Sequence, residues 1–172
     1  TVANFLPLHV PGFGRNRYAN LRNHRKILVV DGAVGFTGGM NLRASHLVKT
    51  PHPDPEMDTH FRIEGPVVSH LAEAFSEDWS FTTREQLAGP AWFPAPVVGG
   101  PTPARGVPVD PAESHETLKY LIVAALGQAV SSVRIVTPYF LPDAALVTAL
   151  NVAALRGVTV DILIPERLDH RI

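Results

Sequence analysis

The run His24-Arg25-Lys26-Ile27-Leu28-Val29-Val30-Asp31 sets an imidazole and an ammonium two positions apart in a segment rich in β-branched residues. Successive side chains on a strand point to opposite faces, so His24 and Lys26 share one face and Arg25 takes the other. Gly38-Gly39-Met40-Asn41 follows at a distance that lets a returning strand bring Asn41 beside them. An imidazole, an ammonium and an amide converging on one point form a receptor for a tetrahedral phosphate. Lysine supplies charge to the non-bridging oxygens and asparagine a neutral donor. The neutral imidazole nitrogen is a nucleophile near pH 7 and can attack phosphorus. Gly38 and Gly39 let the backbone approach the ligand closely.

These groups need a hairpin to position them. Lys26 to Val30 and Val34 to Thr37 flank Asp31-Gly32, the strongest short signal for an antiparallel turn, so residues 24–40 are expected to form one hairpin with Asp31 opening its turn. A third strand is expected at Thr59 to Glu64, closed by Gly65-Pro66. A helix should start near Pro66, which suits a first helical position, and bury Val67, Leu71, Phe75 and Trp79 or Ala74 on one face.

Farther on, Leu118, Leu121, Ile122, Ala125, Leu126 and Ala129 fall at helical spacing, and Val133 to Thr137 reads as a strand. Asp143 can cap a helix over 144–156 that Gly157 ends, before Val158, Val160, Ile162 and Ile164 alternate as a strand. Helix–strand–helix–strand implies a right-handed parallel crossover. The helix over 144–156 is apolar nearly all round and should be buried on more than one side, which needs more protein than this chain supplies.

Of 172 residues, 45% are hydrophobic and 18% charged, which fits a packed α/β protein and excludes a disordered one. Thirteen glycines and sixteen prolines point to several loops. Seven prolines fall within 89–111, which cannot hold a helix or a central strand. The chain therefore divides into residues 1–88, a Pro/Gly-rich linker over 89–111, and residues 112–172. A net charge of −1 excludes nucleic-acid binding by bulk positive charge, so no nucleic acid is expected as a partner. The absence of cysteine removes disulfides, thiol catalysis and Cys-based zinc sites. The histidines outside the motif show no metal-ligand spacing, so no metal is expected. No apolar stretch reaches the roughly 18 residues of a spanning helix. The chain lacks an initiator methionine, and a longer parent is expected, one that can carry membrane anchors of its own.

The pattern H-x-K-x4-D-x6-G-G-x-N over 24–41 resembles the signature of the phospholipase D superfamily. "LRNHRKILVVDGAVGFTGGMNLRASH", "DTHFRIEGPVVSHLAEAFSEDW" and "VRIVTPYFLPDAALVTALNVAALRGVTVDILIP" are similar to its bacterial cardiolipin synthase branch. The resemblance spans nearly the whole chain except the proline-rich stretch. It implies an α/β phospholipase D-like fold of mixed sheets flanked by helices: the end of one such domain over 1–88, and over 112–172 the start of a second, cut before its own motif.

Family enzymes face two motif copies across a pseudo-twofold axis. One histidine forms a phosphohistidine, and the other protonates the leaving alcohol and activates the acceptor. This chain carries one copy. The resemblance implies that the second comes from the parent chain rather than from a homodimer. It makes His24 nucleophile or general acid/base, Lys26 and Asn41 phosphate ligands, and Asp31 a catalytic-motif residue that mainly holds the turn. Asp58 would orient the histidine ring, with Glu56 as the alternative. The activity implied is transfer of a phosphatidyl group between phosphatidylglycerol molecules, with no cofactor, at the cytoplasmic membrane of a bacterium. The rivals are hydrolysis of a lipid or nucleic-acid phosphodiester, and phospholipid binding without turnover. Gly39, where many superfamily members carry serine, fits the synthase branch.

Arg15, Arg17, Arg22, Arg25 and Lys26 form either a solvated basic loop or a patch for anionic lipid, with Arg22 the best single substrate contact. Trp92 and Phe93 read as anchors of the linker in preference to a membrane wedge. Tyr139 follows a strand at its carboxyl end, where ligands bind in α/β folds, and is a candidate substrate contact. His46 follows Asn41 closely without an evident role, and His60 reads as an ordinary surface or core histidine.

Overall fold

The computed structural model describes residues 1–5, 23–47, 49, 51–97, 99–109 and 115–166. It separates into two compact units, Thr1–Pro108 and Val109–Ile172.

In the first unit, β1 (Ile27–Val30), β2 (Val34–Gly38) and β3 (His60–Glu64) form an antiparallel sheet in that order. The Asp-Gly turn forms as expected. Asp31 and Gly32 take φ of 53° and 63°, and Ala33 N–H donates to the Val30 carbonyl at 3.0 Å. Asparagine, aspartate and glycine are the residues that tolerate this left-handed region. Ile27 pairs with Thr37 and Val30 with Val34; Val34 pairs with Glu64 and Gly38 with His60.

Helix α1 (Val68–Thr83) covers one face of this sheet with buried Val68, Leu71 and Ala74. Gly35 lies beneath it, and a β-carbon there would come within 2.8 Å of Leu71 Cδ1 and 3.2 Å of Ile63 Cγ1. The helix starts two residues after Pro66. Gly65 turns at φ 93°, and Pro66 and Val67 complete a turn in which Val68 N–H donates to the Gly65 carbonyl. The buried stripe shifts with it: Val68 replaces Val67, and Phe75 is exposed and stacks on Trp79 at 5.8 Å.

The proline-rich stretch packs on the first unit up to Pro108. Pro94 sits against Gly32, Gly99 against Gly65, and Gly106 N–H donates to His70 Nδ1 at 3.0 Å. Trp92 and Phe93 line a cavity of about 100 Å³ with Asp31 and Ser69 at the turn end of the hairpin, Trp92 remaining about half exposed.

In the second unit, α2 (His115–Gln128), β4 (Ser132–Val136), α3 (Ala144–Leu155) and β5 (Thr159–Leu163) follow in order, and β4 pairs in parallel with β5. Asp143 caps α3, its carboxylate accepting Leu146 N–H at 2.9 Å, and Gly157 ends it at φ 89°. Arg156 donates to the carbonyls of Leu126, Gly127 and Ala129, tying the ends of the two helices together. Leu150 and Ala153 of α3 are buried, whereas Val147, Val152 and Leu155 are exposed. Among the described residues of the unit, α2 and a two-stranded sheet are what covers it, less than an all-round apolar helix needs. Among the described residues, no helix is long and apolar enough to cross a membrane.

Candidate active site

Arg25 fixes the orientation of the motif. Its guanidinium donates to Asp78 Oδ1 at 2.8 Å and to the Ala74 carbonyl at 3.4 Å, both on α1. Asn23 Nδ2 reaches the other Asp78 oxygen at 2.5 Å, and Asn23 Oδ1 accepts Arg25 N–H. With Arg25 held on the helix side, alternation sends its neighbours to the opposite, open face. Lys26 Nζ donates to the His24 carbonyl at 2.8 Å, which lays its ammonium back along the strand toward His24. His24 is exposed and Lys26 half-buried.

Carried past its last pairs, the β1–β2 register puts Lys26 opposite Gly38 and His24 opposite Met40, next to Asn41. So the hairpin returns the amide-bearing residue to the end of the sheet that holds the imidazole and the ammonium. Among the described residues no hydrogen bond joins the three side chains, and Asn41 accepts at its carbonyl from Arg43 N–H. Gly39 N–H donates to the Thr59 carbonyl at 3.0 Å, extending the β2–β3 ladder by one step. The Asp58 carboxylate lies directly over Gly39, in the place of its missing side chain, and accepts Thr59 N–H at 2.7 Å. Asp58 therefore reaches the sheet end that carries the motif.

Glu56, the alternative to Asp58, is engaged elsewhere. It accepts Ser45 Oγ–H at 2.9 Å and pairs with Arg43 at 3.3 Å. Its other oxygen is 3.3 Å from Nε2 of buried His46, a contact too poorly aligned for a hydrogen bond. This cluster pins the 3-10 turn Ala44–His46 to the segment leading into Asp58.

Asp31 lies apart from His24. It sits in the turn, seven residues from His24 along an extended chain, roughly 20 Å at about 3.3 Å per residue. Arg15, Arg17 and Arg22 lie outside the described residues. Arg25 belongs to the helix side, so the basic run is not one patch. Tyr139 lies in the second unit, its N–H donating to Thr137 Oγ1 at 3.3 Å.

His60 is the residue that sequence reading passed over. It pairs with Gly38, and directly opposed residues of an antiparallel ladder share a face. His60 therefore stands on the open face with Lys26. The signal was available in the spacing between the glycines and the third strand, but only the register reveals it.

An exposed imidazole beside an ammonium, with glycine backbone and a carboxylate at hand, can bind a phosphate group and exchange a proton or a covalent bond with it. The comparisons bear on which chemistry that is. A family profile described as "Cardiolipin synthase, PLD-like domain" matches residues 122–172. The chain is 44% identical to Cardiolipin synthase A of Pseudomonas putida (strain GB-1) over 158 residues, covering 91% of this chain and 33% of the relative. It is 46% identical to the proteins of the same name from Pseudomonas entomophila (strain L48) and Pseudomonas fluorescens (strain SBW25), each over 160 residues and with the same coverage. The chain thus spans about a third of the length of the curated relatives it matches. No solved structure matches it.

Proposed function

Taking the chain as a cardiolipin synthase-like member of the phospholipase D superfamily, we propose that it supplies one half of a phosphatidyltransferase site. In this reading a neutral nitrogen of His24 attacks the phosphorus of phosphatidylglycerol. The bond to the glycerol oxygen breaks, and a phosphohistidine forms. A second motif histidine, supplied by the rest of the parent chain rather than by a second copy, protonates the departing glycerol. It then takes the proton from the hydroxyl of another phosphatidylglycerol, which displaces His24 to give cardiolipin. The same steps run with the two histidines exchanged. Lys26 and Asn41 hold the non-bridging oxygens, Gly38 and Gly39 give room, and Asp58 orients the imidazole. Arg22 and Tyr139 are proposed contacts to the lipid. The place of action is the surface of the bacterial cytoplasmic membrane.

The observation that carries this reading is the anchoring of Arg25 on α1, which commits the alternating His24 and Lys26 to the open face. The test uses the full-length protein with vesicles of labelled phosphatidylglycerol. Cardiolipin and glycerol should appear in equal amounts, and His24→Ala should remove the product and any acid-labile phosphoenzyme. Phosphatidic acid in place of cardiolipin makes the site a hydrolase. Vesicle binding without turnover makes it a binding module.

A further inference from the structure

We propose that His60 is a third donor to the phosphoryl group at this site, acting through Nε2–H, with its Nδ1 edge set against the gap left by Gly38; this rests on the phosphoryl-transfer reading above. On the open face Gly38 of β2 stands opposite His60 of β3, and Lys26, the residue just before β1, falls opposite Gly38 when the β1–β2 register is carried one step past its last pair. The middle position has no side chain and cannot take one. At φ 154°, a β-carbon on Gly38 would lie 2.7 Å from His60 Cα and 2.9 Å from His60 Nδ1. The imidazole leans over that gap, and the row presents a cation and an imidazole with bare backbone between them.

Nδ1 is shut away from solvent and has no hydrogen-bond partner. A ligand therefore meets this ring at Nε2, and in the tautomer that carries the hydrogen there the ring offers it an N–H donor. A neutral N–H donor beside an ammonium suits a phosphodiester anion, where charge shifts onto non-bridging oxygens as the leaving bond stretches.

The test compares variants of the full-length protein. Glutamine can place an amide N–H where Nε2–H stood, asparagine only where Nδ1 stood, and leucine neither. Turnover is measured on phosphatidylglycerol vesicles and on bis(p-nitrophenyl) phosphate, a soluble diester that separates the phosphate contact from contact with lipid. Inorganic phosphate is titrated as a competitor. His60→Leu and His60→Asn should each lose on the order of 10- to 100-fold in kcat/KM on both substrates and weaken phosphate inhibition. His60→Gln should recover most of both. Equal activity in the three variants, or rescue by asparagine rather than glutamine, overturns the assignment. If leucine prevents folding, the glutamine–asparagine comparison decides alone. Wild-type protein inactive on both substrates removes the phosphoryl-transfer reading and this proposal together, whereas active wild type with indifferent variants removes only the role of His60.

Discussion

The carboxylate of Asp58 occupies the space that a side chain on Gly39 would need: a β-carbon built there collides with both of its oxygens. The two residues meet because Gly39 N–H continues the ladder onto the Thr59 carbonyl, which draws the start of β3 against the end of β2. In this chain the glycine and the acid are one arrangement. Gly39→Ala should push Asp58 off the sheet end and cost about 1–3 kcal/mol in stability, as overpacking does. Gly39→Ser should do the same unless Asp58 is shortened to Ser or Ala alongside it. Denaturant unfolding of the single and paired variants checks this: the pair should be less destabilised than the sum of the two changes.

Asp78 is far from His24 in sequence yet tethers both residues that flank it, accepting from Asn23 and from Arg25. The Arg25 and Asp78 side chains are each 24% exposed, so solvent screens the pair only in part. Asp78→Ala should cost about 1.5–3 kcal/mol, the range for hydrogen bonds to charged groups. The activity of the full-length protein should fall further than the fraction unfolded explains, since the strand leading into the motif loses its tether. Arg25→Lys keeps the charge but not the fork and should recover only part of the loss. A double-mutant cycle on Arg25 and Asp78, read by both stability and kcat, separates the two effects.

The local chemistry of the hairpin was legible in the residues themselves. Asp31-Gly32 announces its turn, His24-x-Lys26 its alternation, and Asp143 and Gly157 the two ends of α3. What the sequence hid depends on contacts between distant segments. The place of His60 opposite Gly38 needed the register of β2 and β3. That Glu56 is engaged by Arg43 and Ser45 needed the fold of the segment before β3. The start of α1 falls near Pro66, as read, and its exact residue is set by the turn that Gly65 opens at φ 93°. The apolar surround of α3 was legible too, and with it the shortage of cover that leaves Val147, Val152 and Leu155 exposed.

Packing of α1 on the sheet supports the hairpin from the face opposite the motif. Leu71 is the residue set closest to Gly35, and it is buried together with Val68 and Ala74. Leu71→Ala should lose about 2–5 kcal/mol, with the lower part of the range applying if Ile63 relaxes into the space. Gly35→Val should also destabilise, from the opposite cause, because a branched side chain has no room beneath the helix. A Gly35→Ala, Leu71→Ala double variant should be more stable than the sum of the single changes predicts. Thermal unfolding of the three proteins gives the answer.

The cap of α3 makes the second unit sensitive to acid. The Leu146 backbone N–H, and after it the Lys119 ammonium 3.2 Å away, hold the Asp143 carboxyl below its ordinary value. Glu116 is lowered too, by hydrogen bonds from Tyr120 and then Lys119. A carboxylate whose folded pKa is depressed contributes stability that is fully present above its unfolded pKa and is lost as pH falls through the folded one. The affected window therefore lies below the usual carboxylate range, and neutral pH leaves the cap intact. The Lys119 pKa is raised, first by Asp143 and then by Glu116, so its own contribution persists through neutral pH and fades only above the ordinary lysine value. Acidification should deprotect the Leu146 amide to hydrogen exchange before the α2–α3 packing is lost. Asp143→Asn keeps a capping oxygen without a titrating proton and should flatten that response, whereas Asp143→Ala should leave Leu146 unprotected even at pH 7. Amide exchange across this acid range, compared among the three proteins, measures it. Protection of Leu146 that is independent of both pH and the residue at 143 would show that the helix begins without its cap.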